Sequence, residues 1–309
     1  MTTVTSRAPV MPEVPARPPS RVATIVVSLV AGVALAVVWS AQLVDREIGM
    51  TVANSVLGTD ARNTAIAGSV AGVVFAFVSG FAGTFTACNV AVFGALPAVT
   101  ARSHERRARL RGIASALGWL SVGLLAVAVV YGFVSVLLGS ALPQLSTARV
   151  GNDVPVRLLQ SIVVFGVIGI AFLYLGLASL SVVPDPFAGR PRARLFTLGA
   201  LIGGFLVGRP YPLFQKLLTY AADTHNPLYG SLALALQALG NILLMAVLAG
   251  LFSLFAGSRL GRWLSEPRRA AVLAGGALLL LGAFMVVYWD VRLPARFGYG
   301  WFPTMPWNG

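Results

Sequence analysis

Side chains able to do chemistry are scarce in this sequence, and they gather in two stretches. The first is residues 80–97, GFAGTFTACNVAVFGALP, which holds the chain's single cysteine, Cys88, beside Thr84, Thr86 and Asn89. A thiolate is a nucleophile and forms mixed disulfides with partner thiols. Buried in hydrocarbon it is a poor one, because desolvation disfavours the charged form, so reactivity needs a nearby cation or a water-filled path. The second stretch is residues 199–220, GALIGGFLVGRPYPLFQKLLTY, which supplies such a cation in Arg209, followed by Pro210, Tyr211 and Pro212. A charge in mid-span is costly, and such residues face a cavity or a partner. Lys216 lies seven residues on, about 10 Å further along the same helical face.

Each of these residues has two readings. Cys88 is a thiol centre or a small buried hydrophobe. Arg209 stabilises a thiolate or an anionic substrate, or it pairs with carbonyls freed by Pro210 and Pro212. Lys216 lines the same path or snorkels to the membrane surface. Tyr211 turns its hydroxyl toward Cys88 or Asn89, or simply packs. Gln237 and Asn241, four apart, read as interhelical hydrogen-bond glue.

The elements that position these residues follow from composition. The chain has 309 residues, of which 57% are hydrophobic and only 11% charged, with a mean hydropathy of +0.82. Its apolar runs are long and continuous rather than alternating, which predicts an all-α, multi-spanning membrane protein. One cysteine excludes an internal disulfide and any multi-cysteine metal site. His104 and His225 both fall in expected loops, leaving little from which to build a haem or histidine-rich metal site. No nucleotide loop or catalytic triad is present, and no cofactor is expected. The formal charge of +13 does not mark a nucleic-acid surface, because the basic residues sit in short loops between apolar runs.

Seven spans are expected, over residues 23–44, 66–99, 113–142, 156–183, 195–220, 228–256 and 270–289. The positive-inside pattern orients them. Segments assigned to the cytoplasm carry 15 Arg and 4 acidic residues, and those assigned outside carry 6 of each. The strongest inside signal is residues 101–112, with five Arg against Glu105. Residues 1–22 read as a disordered cytoplasmic tail. Residues 23–63 read as an extra N-terminal helix with an external loop, and residues 290–309 as an external tail. The last of these, with Trp289, Trp301, Phe302 and Trp307, reads as an interfacial belt. The protein is thus expected as multi-pass in the plasma membrane, N-terminus cytoplasmic and C-terminus extracytoplasmic. No acidic residue falls within any expected span.

With that topology, spans two to four and five to seven form triplets of opposite direction, a three-plus-three inverted repeat. Each triplet opens with a glycine-rich helix carrying breaks, at Gly83 and Pro97 in the first and at Pro210 and Pro212 in the second. Interrupted helices in corresponding positions point to a shared mid-membrane site. Cys88 falls 12 residues before the inner end at Thr100, and Arg209 and Tyr211 fall 14 and 16 residues after the inner end at Leu195, so all three are expected at similar depth.

Over residues 64–289 this layout resembles the CcdA/DsbD transmembrane family, the thiol-disulfide electron carriers of cytochrome c maturation. That family pairs two inverted triplets, each led by a Pro-Cys motif. Here the first motif falls on Ala87-Cys88, with the proline lost, and the second on Pro210-Tyr211, with the cysteine replaced. The resemblance implies movement of reducing equivalents, or support of thiol chemistry, across the membrane. It implies as partners an extracytoplasmic thioredoxin-like protein or apocytochrome and a cytoplasmic thiol donor, within membrane lipid. Cys88 has no second cysteine in this chain, so a mixed disulfide is the form its chemistry takes. Whether the protein is an enzyme is left open. Two alternatives stand: a transporter for a small anion or metal-thiolate, using Arg209 and Lys216, or a membrane subunit that has lost its activity.

Overall fold

The computed structural model describes residues 20–40, 42–83, 106–209, 211–255 and 266–307, and over them the chain is almost entirely helical. In chain order the helices are α1 (Arg21–Val38), α2 (Met50–Leu57), α3 (Gly68–Ala82), α4 (Arg106–Leu138), α5 (Val156–Ser179), α6 (Pro191–Gly208), α7 (Pro212–Asp223), α8 (Pro227–Phe255), α9 (Pro267–Met285) and α10 (Leu293–Ala295). A two-residue hairpin, β1 (Arg149–Val150) with β2 (Val154–Pro155), closes the α4–α5 connection. Helix starts follow local chemistry. The Ser20 hydroxyl accepts from the Ala23 amide 3.0 Å away to cap α1. Pro191, Pro212 and Pro267 open α6, α7 and α9, where a missing N–H costs nothing.

Five helical stretches are long and apolar enough to cross a membrane: Arg21–Val38, Arg111–Ala141, Val156–Ser179, Pro227–Val247 and Arg268–Ala295. This is a membrane protein. The two remaining apolar segments are the two read as interrupted. Helix α3 has 15 residues and ends at Ala82, about 22 Å of rise, and α6 stops at Gly208 ahead of Arg209.

Bare glycines let the backbones touch. A methyl on Gly80 of α3 would sit 1.8 Å from the Gln237 carbonyl of α8, and one on Gly240 of α8 would sit 2.2 Å from the Phe77 carbonyl of α3. The α4–α6 contact repeats this reciprocity, with Gly123 2.0 Å from the Phe196 carbonyl and Gly199 2.0 Å from the Leu120 carbonyl. In all four cases the carbonyl lies three residues before the partner's glycine. Small residues are what allow such approach in lipid, where no hydrophobic drive pulls helices together.

The contacts also fix relative directions. Helices α3 and α8 are parallel, because Gly72 meets Tyr229 and Gly80 meets Gln237. Helices α1 and α9 are parallel, because Gly276 meets Thr24 and Gly32 meets Ala283. Helices α4 and α6 are parallel, because Gly199 meets Leu120 and Gly203 meets Val127. Helix α5 is antiparallel to α9, through Gly169–Gly282 and Gly176–Gly275, and to α6, through Ile168–Gly204 and Val164–Gly208. Helix α8 is antiparallel to α4: Gly230 meets Gly132, while Ile242 and Met245 line a cavity with Leu117 and Leu120. Direction therefore alternates along α1, α3, α4, α5, α6, α8 and α9.

Several element boundaries differ from the sequence expectation, and the helix expected from residue 113 already begins at Arg106, within the basic stretch expected as a loop. The first apolar helix ends at Val38, and residues 42–57, expected as part of that span and an external loop, form a π-helical segment (Gln42–Gly49) running into α2. Mixed charge reads as loop, yet a short helix lying against α3 buries Ala53. The last helix does not stop at residue 289. It continues through the π-helical turns Val286–Arg292 into α10. Asp290 therefore lies inside a candidate span, not in the tail, and a methyl on Gly166 of α5 would sit 2.7 Å from its Oδ1.

Candidate functional site

The site is the place where α6 breaks. Proline has no N–H and its ring clashes with the preceding turn, so a helix that meets two prolines loses its ladder and leaves carbonyls bare. The last regular bond runs from the Arg209 amide to the Phe205 carbonyl, at 3.0 Å. Three carbonyls at the break, those of Val207, Gly208 and Arg209, are met by side chains from one neighbouring region. Gln160 Nε2 of α5 donates to the Val207 carbonyl at 2.7 Å. The Ser161 hydroxyl donates to the Gly208 carbonyl. Gln144 Nε2, in the α4–α5 connection, donates to the Arg209 carbonyl at 2.8 Å. The chain resumes as α7 with the Gln215 amide donating to the Tyr211 carbonyl at 2.9 Å.

The side chain of Arg209 crosses from this break to the end of α3. Its Nη1 donates to the Gly83 carbonyl at 3.0 Å, and Gly83 is the residue that closes α3. Its guanidinium carbon lies 4.4 Å from the centre of the Tyr211 ring, and Tyr211 is fully buried. Cation–π contact and a carbonyl acceptor together hold a guanidinium in an apolar setting. Gly83 has little room beside it, since a methyl there would lie 3.2 Å from Arg209 Nη1.

Lys216, one element on, is anchored elsewhere. Its ammonium donates to the carbonyls of Ala61 at 2.7 Å, Arg62 at 3.2 Å and Thr64, and stands 5.1 Å over the Phe75 ring. It fastens the connection between α2 and α3 to α7. The same connection is shaped by Asp60, whose carboxylate accepts from the Arg62 amide at 2.9 Å and from the Asn63 side chain at 2.7 Å. The Asn63 side chain, then the backbone amides of Asn63 and Arg62, and to a lesser degree the Lys216 charge, hold this exposed carboxyl below its ordinary value.

Of the residues singled out in the sequence, Arg209 meets Gly83 at the end of α3 and Tyr211 beside it, Pro212 opens α7, and Lys216 sits at the α2–α3 connection. Cys88, Asn89, Pro97 and Pro210 lie outside the described residues. Gln144, Gln160 and Ser161 complete the break, and sequence reasoning passed over them. Their signal was a polar residue inside or at the edge of an apolar run. Gln144 also keeps a buried Oε1 with no hydrogen-bond partner, while the buried Tyr131 hydroxyl lies beside Gln160 and Ser135. A buried orphan oxygen is where an ordered water or a polar ligand is stabilised. The outer shell of the break is thus polar, with acceptors to spare, inside an otherwise apolar bundle.

Comparison of the chain with family models, with curated proteins and with solved structures found no match.

Proposed function

We propose that this protein is a CcdA-like membrane protein that handles thiols, moving reducing equivalents or supporting thiol-disulfide exchange across the plasma membrane. The observation that carries the reading is the 3.0 Å bond from Arg209 to the Gly83 carbonyl. It ties the second interrupted helix to the end of the first, five residues before Cys88. A cation held at that point favours a thiolate over a thiol. The Cys88 thiolate attacks a partner disulfide, a sulfur–sulfur bond forms to Cys88, and the partner's other sulfur leaves as thiolate. The partners are an extracytoplasmic thioredoxin-like protein or apocytochrome and a cytoplasmic thiol donor.

The scaffold of this proposal is a seven-span chain with a three-plus-three inverted repeat. Alternating direction along α1, α3, α4, α5, α6, α8 and α9 supports seven crossings, and the arginine-rich segments support a cytoplasmic N-terminus and an outside C-terminus. Exchanging α3 with α6 and α4 with α8 converts the Gly80–Gly240 contact into the Gly199–Gly123 contact, which supports the repeat.

The transport reading places an anion or metal-thiolate on Arg209 and Lys216. Lys216 is already bonded to three backbone carbonyls and Arg209 to a fourth, stacked on Tyr211, which favours thiol handling over transport. The test is alkylation of Cys88 in native membranes by a small impermeant maleimide near neutral pH. Labelling slowed by Arg209→Ala, together with loss of function in Cys88→Ala, is the expected result. An unreactive Cys88 with full function in Cys88→Ala overturns the thiol reading and leaves transport.

A further inference from the structure

The end of the last helix carries a second polar construction, unrelated to Cys88. Arg292 is 4% exposed. Its Nη1 donates to the Ala36 carbonyl at 2.7 Å and to the Trp39 carbonyl at 2.8 Å, which closes the C-terminal end of α1. Trp307 Nε1 donates to the Val38 carbonyl at 3.0 Å, so the C-terminal segment folds back over the same helix end. Between α10 and this segment lies a cavity of about 130 Å³, lined among others by Arg292, Arg296, Trp301, Phe302 and Thr304. Among the described residues that line it, none is acidic.

A guanidinium has five N–H donors in a planar fork. Both carbonyl bonds of Arg292 leave from Nη1, so Nε and Nη2 remain for a ligand. Arg296, one turn on, adds a second positive charge close enough to act on the first. Arg292 also lies 5.0 Å from the Tyr288 ring centre and 6.0 Å from that of Phe302, and two guanidinium groups lining a cavity whose described walls carry no carboxylate suit an anion, with a fork geometry that matches a phosphate. Trp301 is 83% exposed and Trp307 54%, an aromatic belt of the kind that sits at headgroup depth. We infer that the cavity formed by Arg292, Arg296 and the 300–304 segment binds a phosphate group, and that its occupant is the headgroup of an anionic phospholipid in the leaflet where the last helix ends. The lipid then locks the C-terminal segment over the ends of α1 and α9.

Arg292 also holds α1, so its removal disturbs the fold. Arg296→Gln, on the exposed rim, removes one of the two cavity charges and leaves the bonds of Arg292 to α1 in place. The full chain is placed in phosphatidylcholine nanodiscs with or without phosphatidylglycerol, or with added inorganic phosphate. Lipid retention is measured by native mass spectrometry and melting by a thermal shift. The expected result is phosphatidylglycerol retained about tenfold more weakly by Arg296→Gln, with a melting rise in the unmodified protein that inorganic phosphate does not reproduce. A rise with inorganic phosphate that Arg296→Gln abolishes supports the phosphate site and assigns it a soluble occupant. No response to either probe, or one that Arg296→Gln leaves unchanged, overturns the inference.

Discussion

Arg209 does at one position what two helix ends need. It donates to the last carbonyl of α3 while its own carbonyl is capped by Gln144. Removing the donor strands a carbonyl in an apolar surround. Arg209→Met is therefore expected to destabilise the fold by about 1–3 kcal/mol, measured by thermal or denaturant unfolding in a fixed detergent. Arg209→Lys keeps the charge but lacks the planar face that lies on Tyr211, so an intermediate loss is expected. Asp60 sets a different test. Its folded pKa is depressed, so its contribution is fully present above the ordinary aspartate value and is lost as pH falls through the folded one. Amides 61–64 are expected to exchange hydrogen faster below about pH 4, after correction for the intrinsic rate. Asp60→Asn at neutral pH is expected to give the same loss of protection.

At the scale of elements, the break between α6 and α7 was legible and its supports were not. Two prolines flanking Tyr211 announce a broken helix by steric chemistry alone, and α6 does end at Gly208. The donors that satisfy the break come from Gln144, Gln160 and Ser161, 47 to 65 residues earlier in the chain. Nothing local links such residues to the carbonyls they meet, because the partnership exists only once α5 packs against α6. Asp290 was missed for a related reason. A charge after an apolar run marks the run's end in sequence, yet π-helical turns carried the helix past it. The reciprocal glycine contacts give the element-scale prediction. Gly80→Val and Gly199→Val each drive a side chain into a backbone carbonyl about 2 Å away, and should cost about 1–3 kcal/mol or more, to similar degree. Gly118 of α4 has open space where its side chain would be, so Gly118→Val should unfold close to the unmodified protein. Unequal losses at Gly80 and Gly199 would argue that the two interfaces are not equivalent.

For the whole molecule, the proposed topology rests on two independent lines of reasoning that share no residues. Loop charge, read from arginines between apolar runs, assigns sides, while glycine contacts inside the bundle assign direction. Both are consistent with the proposed seven crossings, although neither α3 nor α6 is among the five helices long and apolar enough to cross. That agreement has a physical source. Arginine-rich loops stay on the side where the chain is inserted, so the direction of each following helix is already set before the glycines bring helices together. Residues 101–112, the most basic stretch, whose described part forms the start of α4, and the C-terminus should then lie on opposite faces of the membrane. Reporter fusions or impermeant labelling at Ser103 and at Gly309 read this directly. The expected outcome is Ser103 cytoplasmic and Gly309 outside. If both report the same side, the first triplet is not inverted relative to the second, the Gly80–Gly240 and Gly199–Gly123 contacts are then coincidence, and the case for a CcdA-like core goes with them. The phosphate cavity at Arg292 and Arg296 would survive that result, because it needs only a membrane surface at the end of the last helix.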